Sequence, residues 1–321
     1  MILGAGPVGL IAALSAARTR RVLLCAPPRT ASAPSRIDSF PAPFLALLIE
    51  LGLHPLRLAP ALHDRLVVAW ESTEPEVRHV SRRAHLDRGL LEQELHALAA
   101  QSRSIEWAPA PPRDLPTGTP IFDATGRRAV TALGVERPAE PWFARCWLAS
   151  GVFTPAQQLL RIAALPGGYA YRIGVADLLT LGLVGPHQPR AVGQAAWRRR
   201  LLDSGAEWMV EDLPPETVFA PGRGGEASVQ WSRPGADAAP VGDAAFARDA
   251  LAAQGTANGV SDALASLEDV AAARERIVED RRAHAANLRD MIARGRFRDA
   301  PDWRTYDAFL CGLKERAELS Q

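Results

Sequence analysis

The first 28 residues, MILGAGPVGLIAALSAARTRRVLLCAPP, constrain the fold more than any other stretch. They alternate between a short apolar run, a glycine turn, a helical pattern and a second apolar run rich in β-branched and aliphatic residues. The turn is Gly4-x-Gly6-x-x-Gly9. In a strand–turn–helix unit each glycine has its own reason: the first permits the tight turn, the second lets the backbone approach a pyrophosphate, and the third lets the helix pack close to the strand. Because Ile2-Leu3 precedes the turn and LIAALSAA follows it, the spacing predicts a parallel βαβ unit, hence an α/β fold, with dinucleotide phosphates at the helix N-terminus.

Two features depart from that pattern. The strand before Gly4 is only three residues long, and the second strand ends at Ala26 where Asp or Glu usually accepts the ribose hydroxyls. Arg29 nearby suits a 2′-phosphate instead, so this end alone does not name the dinucleotide.

Composition removes several classes of function. A net charge of +1 gives no overall attraction to nucleic acid or membrane. The three cysteines (Cys25, Cys146, Cys311) have no metal-ligand or disulfide spacing, and no metal is expected. The N-terminus lacks a basic-then-apolar leader layout, and no window of eighteen uninterrupted apolar residues occurs. A cytoplasmic location is the resulting expectation.

Four later segments extend the argument: RIDSFPAPFLALLIELGLHP (36–55), AHLDRGLLEQELHALA (84–99), IFDATGRRA (121–129) and VGDAAFARDALAAQGTANGVSDAL (241–264). With GAGPVG, and in this order, they resemble the FAD-dependent monooxygenase and halogenase superfamily, whose fold is like that of hydroxybenzoate hydroxylase. The resemblance runs from residue 1 to about 270. It implies a Rossmann-like FAD-binding domain (1–66, 84–130 and 236–275), an inserted mainly-β substrate domain (67–83 and 131–235) and a C-terminal helical segment (276–321).

The same resemblance implies how FAD would be held. Gly4, Gly6, Pro7 and Gly9 would cradle the pyrophosphate, and Arg36 and Arg88 would lie along the cofactor. Asp123 and Gly126 would turn beside the adenosine half. Gly242 and Asp243 form a second cofactor motif, with Asp243 accepting from the ribityl region. Small residues at 252–258, including Gly255 and Asn258, would let backbone N–H groups reach the flavin ring. Ala250 and Ala253 depart from the family's usual DPLSGQG. Electrons would come from NAD(P)H or a separate flavin reductase, and O2 would be the oxidant.

Between DATG and VGD lie about a hundred residues of strand-like alternation interrupted by one helix, which the resemblance makes the substrate-covering sheet. Tyr169, Tyr171 and Trp231 are the aromatic candidates for a pocket wall. GGYAYRIG stands where flavin-dependent halogenases carry Trp-x-Trp-x-Ile-Pro, and the only lysine, Lys314, is near the wrong end for the lysine those enzymes use. Arginine does not replace a lysine that must react. The expected activity is therefore aromatic hydroxylation through a flavin C4a-hydroperoxide. No residue is assigned as the base among His54, His85 and Asp38.

RIDSFPAPFLALLIELGLHP with GYAYR is most similar to flavoproteins that hydroxylate peptidyl tryptophan in tryptophylquinone cofactor biogenesis of quinohemoprotein amine dehydrogenase. That subgroup implies a protein or peptide substrate. Hydroxylation of a small free aromatic or polyketide-like molecule, and a non-catalytic maturation chaperone, are the alternatives. In the tail, Val270, Ile277, Leu288 and Ile292 form one apolar stripe, expected to pack on the cofactor domain, with a break near Gly295 and Pro301.

Overall fold

The computed structural model describes residues 1–27, 36–112, 118–186, 194–222, 224–235, 238–249 and 255–318. Arg29, Ala250 and Ala253, with residues 252–254 of the small-residue segment, lie outside them.

The chain opens with strand β1 (Ile2–Leu3), helix α1 (Pro7–Ala16) and strand β2 (Val22–Cys25). Next come β3 (Ile37–Pro41), α2 (Ala42–Glu50), the short α3 (Pro55–Leu58), β4 (Ala61–Ala69) and β5 (Glu76–Asp87). These lead into α4 (Arg88–Gln101), β6 (Ile105–Ala108), β7 (Phe122–Asp123) and β8 (Ala132–Glu136). The middle of the chain holds β9 (Phe143–Ser150), β10 (Leu160–Leu165), β11 (Gly168–Val175), β12 (Leu178–Gly185) and α5 (Gln194–Asp203). Short strands β13 (Ala220–Pro221) and β14 (Gly225–Glu226) precede β15 (Gln230–Pro234) and β16 (Ala239–Pro240). Helices α6 (Asp243–Phe246), α7 (Gly255–Glu268), α8 (Val270–Arg294) and α9 (Pro301–Glu318) complete it.

The first sheet is parallel throughout, in the order β16-β7-β1-β2-β6. Strand order reverses at β1, the topological switch point at which such sheets bind ligands beyond their C-terminal strand ends. Helix α1 is apolar nearly all round because it is covered on more than one side, by the sheet and by α4 and α7. Leu10, Ile11, Leu24, Leu91, Leu95 and Val260 share that core.

The second sheet runs β13-β9-β12-β11-β10-β4-β5-β3, with β14 on β9, and is antiparallel except where β10 meets β4. It curls until its far edge returns to its middle. The Ile37 N–H donates to Thr180 Oγ1 at 3.2 Å, and His85 Nδ1 lies 3.1 Å from Gly174 O. Ile37, Leu160, Ile173 and Val175 fill the inside of the curl.

The curled sheet bears on the domain limits and on the packing of the tail. Strands β3, β4 and β5 belong to it, so the boundaries drawn at 66/67 and 83/84 fall inside β4 and β5. Pairing partners far apart in sequence decided that, and local alternation does not name them. In the tail, Val270 does pack on the parallel-sheet core. Ile277, Leu288 and Ile292 instead join Trp70, Trp142, Tyr169 and Val184 of the large-sheet side, with Trp303, Tyr306 and Leu310 of α9. Among the described residues, no helix is long and apolar enough to cross a membrane.

Candidate active site

The glycine turn has one open side and two closed ones. Gly4 has φ +97°, and a side chain there would meet Ala124 O at 2.5 Å. A Cβ on Gly9 would lie 2.0 Å from Gly4 O, so α1 and the turn pack backbone to backbone. A Cβ on Gly6 would meet nothing within 4 Å. Helix α1 starts with Pro7, which has no N–H, and its Gly6 N-cap supplies no side-chain acceptor. The first-turn donors and the positive dipole end therefore face the open side of Gly6.

Asp123 works differently from a ligand contact. It is fully buried; Thr125 N–H and Oγ1 donate to one carboxylate oxygen, and Thr131 N–H and Oγ1 donate to the other, at 2.6–2.9 Å. It shapes the turn that presents Gly126, whose side-chain direction is open. At Ala26 the backbone N–H continues the sheet to Ala108 O at 3.0 Å, and a methyl group occupies the position of the usual ribose acceptor.

The second motif lies directly against the first. Gly242, at φ +57°, has the Val8 methyls 3.2 Å from where a Cβ would stand, and a Cβ on Gly259 of α7 would be 2.8 Å from Gly242 Cα. The glycine turn and the α6–α7 segment thus form one surface. Asp243 and Gly255 line the cavity beside it, whereas Asn258 is half-buried on α7 and does not.

Charges tie this surface to the curled sheet. Arg88, at the start of α4, donates through Nη1 to Asp38 at 2.8 Å and to Thr256 Oγ1 at 2.9 Å, and through Nε to Glu92 at 2.7 Å. Arg36 Nε lies 3.2 Å from Asp38. Burial alone would raise the Asp38 carboxyl, but Arg36 and Arg88 together hold it below the usual carboxylate range.

A cavity of about 390 Å³ lies between the curled sheet and the residues at 243–249 and 255–256. Arg36, Asp243, Gly255 and Thr256 form one side, and Asp38 of β3 with Ala144, Cys146, Leu160, Ile162 and Ile173 the curled-sheet side. Tyr169 and Tyr171 both line it, two residues apart on one face of β11. Tyr171 lies across Gly182, where a Cβ would be 2.1 Å from its ring, and its hydroxyl is 3.2 Å from Cys146 Sγ. Trp231 does not line the cavity: it sits on the ribbon β15–β8, with the Arg281 guanidinium stacked on its ring.

Sequence reasoning missed several wall residues. Asp249 accepts hydrogen bonds from Tyr169 at 3.0 Å and from Tyr306 at 2.7 Å, and its N–H lies 3.3 Å from His284 Nε2. Arg248, also in the wall, reaches Asp262 at 3.4 Å and pairs with Asp280, while its Nε and Nη1 have no hydrogen-bond partner among the described residues. The signal available was FARD, an opposite-charge pair in a stretch otherwise made of small and apolar residues. At the rim, Glu226 lies between Arg127 and Arg137 at 3.6 and 3.5 Å. Of the three groups considered as bases, Asp38 lines the cavity; His85 closes the curl of the sheet, and His54 is exposed. Among the described residues no cluster of His, Cys, Asp or Glu could hold a metal.

These features fit a dinucleotide-linked flavin: a bare-backbone phosphate cradle at Gly6, a second open glycine at Gly126, and a cavity lined by Arg127 and Asp243, the residues next to Gly126 and Gly242. The search of family models and the search of curated proteins found no match. Solved structures do match. Peptidyl tryptophan dihydroxylase QhpG, essential for tryptophylquinone cofactor biogenesis, superposes with a TM-score of 0.68 at 18% identity, over 95% of this chain and 77% of that one. Xcc4156, a flavin-dependent halogenase from Xanthomonas campestris, gives 0.73 at 13% identity over 99% and 82%. The flavin-dependent brominase Bmp2 gives 0.71 at 14% identity over 100% and 98%. The chain has the fold of FAD-dependent halogenases and monooxygenases.

Proposed function

We propose that this protein binds FAD and is a flavin-dependent monooxygenase that hydroxylates an aromatic ring, a tryptophan side chain of a partner polypeptide. The observation that carries the reading is the contact of the glycine turn with Gly242 and α7 through Val8, Gly242 and Gly259, beside the cavity that Asp243 and Gly255 line against the curled sheet. Gly4, Gly6, Pro7 and Gly9 would hold the pyrophosphate, and Gly126 would admit the adenosine half. Arg36, Arg88, Asp243 and Gly255 would line the flavin. Flavin reduced by NAD(P)H or a separate reductase would activate O2 and supply one oxygen atom to an electron-rich ring, the other leaving as water.

The chain's own residues provide binding, orientation and dryness. Asp38 of β3, neutralised by Arg36 and Arg88, ties the curled sheet to α4 and, through Arg88, to α7. Leu160, Ile162 and Ile173 exclude water from the sheet side. Hydroxylation fits better than halogenation because no lysine is among the described residues that line the cavity. Likeness to a dihydroxylase of peptidyl tryptophan supports the same substrate class.

The decisive experiment is an absorption spectrum of the purified protein with mass spectrometry of a co-expressed partner polypeptide. Yellow protein and added oxygen mass on a partner tryptophan are expected. Protein that stays colourless in excess FAD would overturn the reading.

A further inference from the structure

Strand β8 has an open edge. It pairs with β15, and β15 meets Phe246 and Ala247 through isolated bridges, so among the described residues no strand pairs with the far edge of β8. Side chains alternate along a strand, which puts Leu133, Val135 and, just past the strand end, Arg137 on one side. Leu133 is 78% exposed and Val135 42%, and Val130, in the turn that enters the strand, is 58% exposed. Gly134 and Glu136 point the other way, toward Arg233 and Trp231, where Arg281 of α8 lies on the Trp231 ring and near Glu136. Soluble proteins blunt such edges with charge, proline or a covering segment, because unpaired N–H and C=O groups beside apolar side chains attract another strand. On β8 two apolar residues stand where a blunting charge belongs.

The charge beside this strip is positive. Arg127 at 3.6 Å and Arg137 at 3.5 Å share the single carboxylate of Glu226. Arg128 is exposed, and no carboxylate among the described residues pairs with it. Of the acids close in sequence, Glu136 faces Arg281, and Glu140 lines a separate cleft against α9. Glu226 and Arg127 also line the cavity, so the strip ends one ion pair from the cavity wall. An unpaired strand edge is complemented by another extended backbone, with alternate side chains giving the specificity. Resting on the reading that the substrate is a polypeptide, we propose that the open edge of β8, with Leu133, Val135, Arg137 and Arg128, docks an extended, acidic segment of that polypeptide. The segment adds a strand to the ribbon while the target side chain enters the cavity past Glu226.

The test uses the FAD-saturated full chain and a synthetic peptide, Asp-Thr-Val-Thr-Val-Thr-Asp-Gly-Trp-Gly, blocked at both ends, with affinity from calorimetry. The peptide binds, and exchanging both of its aspartates for lysine weakens it about tenfold. N-methylation of every second amide abolishes binding in one phase and spares it in the other, because strand amides point alternately toward and away from the neighbour. Leu133→Asp and Val135→Asp each weaken the peptide about tenfold and leave flavin absorbance unchanged. Should either variant fail to fold, the methylated peptides decide on wild-type protein alone. A peptide that does not bind up to its solubility, that binds both variants as it binds the wild type, or that ignores the phase of methylation overturns the docking strip. So does a dimer in light scattering that Val135→Asp dissolves, because a second copy then occupies the edge. Peptide that binds with these dependences but gains no oxygen at its tryptophan leaves the strip standing and overturns the peptidyl reading instead.

Discussion

At Gly6 and Gly9 the same substitution should have opposite consequences. Alanine at Gly9 forces a Cβ to within 2.0 Å of Gly4 O, with no flexible side chain to yield. Gly9→Ala is expected to cost about 3 kcal/mol of stability, the upper end for overpacking. Alanine at Gly6 meets nothing within 4 Å, and the residue's φ of −77° is ordinary for any side chain. Gly6→Ala should therefore unfold within about 1 kcal/mol of wild type yet lose FAD, because its methyl stands where the phosphates approach. Denaturant titration and flavin content of the two variants separate packing from binding; equal losses of both properties in both variants would contradict the assignment.

Also at this scale, two buried histidines make stability depend on pH. Burial is the main cause that pushes His85 down to about 3 and His284 to about 4. In the unfolded chain both titrate near 6.5. Their contribution is full above pH 6.5 and is lost as pH falls toward those lower values, because the unfolded chain then binds the extra protons. With about 1.4 kcal/mol per pH unit for each ring, stability at pH 5 should be about 4 kcal/mol below that at pH 7. A flat profile across that interval would show that the rings titrate normally.

Among elements, α4 does more than cover the parallel sheet. Its first residue, Arg88, links β3 through Asp38 to α7 through Thr256. Arg88→Met leaves both without that donor and is expected to cost about 2 kcal/mol and to weaken FAD binding at least tenfold, measured by flavin fluorescence. Helix α9 is similarly placed between structure and site. Trp303 packs edge-on to Trp70 and Trp142, and Tyr306 reaches Asp249. Trp303→Ala should cost about 3–5 kcal/mol, as for other buried aromatics. The strand–turn–helix start, the Gly-Asp turn and the break at Gly295 were legible because each depends on residues close in sequence. Membership of β3, β4 and β5 in the curled sheet was not, because alternation reads the same whichever distant strand supplies the partner.

For the whole molecule, a cofactor held at the glycine turn of the parallel sheet and in the cavity of the curled sheet should stabilise both together. If FAD binds the folded chain alone, a free concentration of one hundred times its Kd adds about 2.7 kcal/mol. A single cooperative transition should then move to higher temperature in calorimetry. Two transitions, of which only one moves, would mean that the sheets unfold separately and that the cofactor touches only the first. Trp231 shows the limit of composition at this scale: an aromatic residue in the right stretch became core because the ribbon carrying it faces α8 rather than the cavity.

The amino-acid order by itself determined the local devices: the glycine turn, the apolar first helix, the Gly-Asp turn and the aromatic pair on β11. Each is set by φ, by the absence of a side chain or by the two-residue period of a strand. Tertiary structure alone decided what surrounds the ligand. Asp249 meets Tyr169 and Tyr306 across 80 and 57 residues of chain, and Gly242 meets Val8 from the opposite end of the molecule. Those contacts exist because burying apolar sheet and helix faces brings distant segments together, and no local pattern records which segments meet.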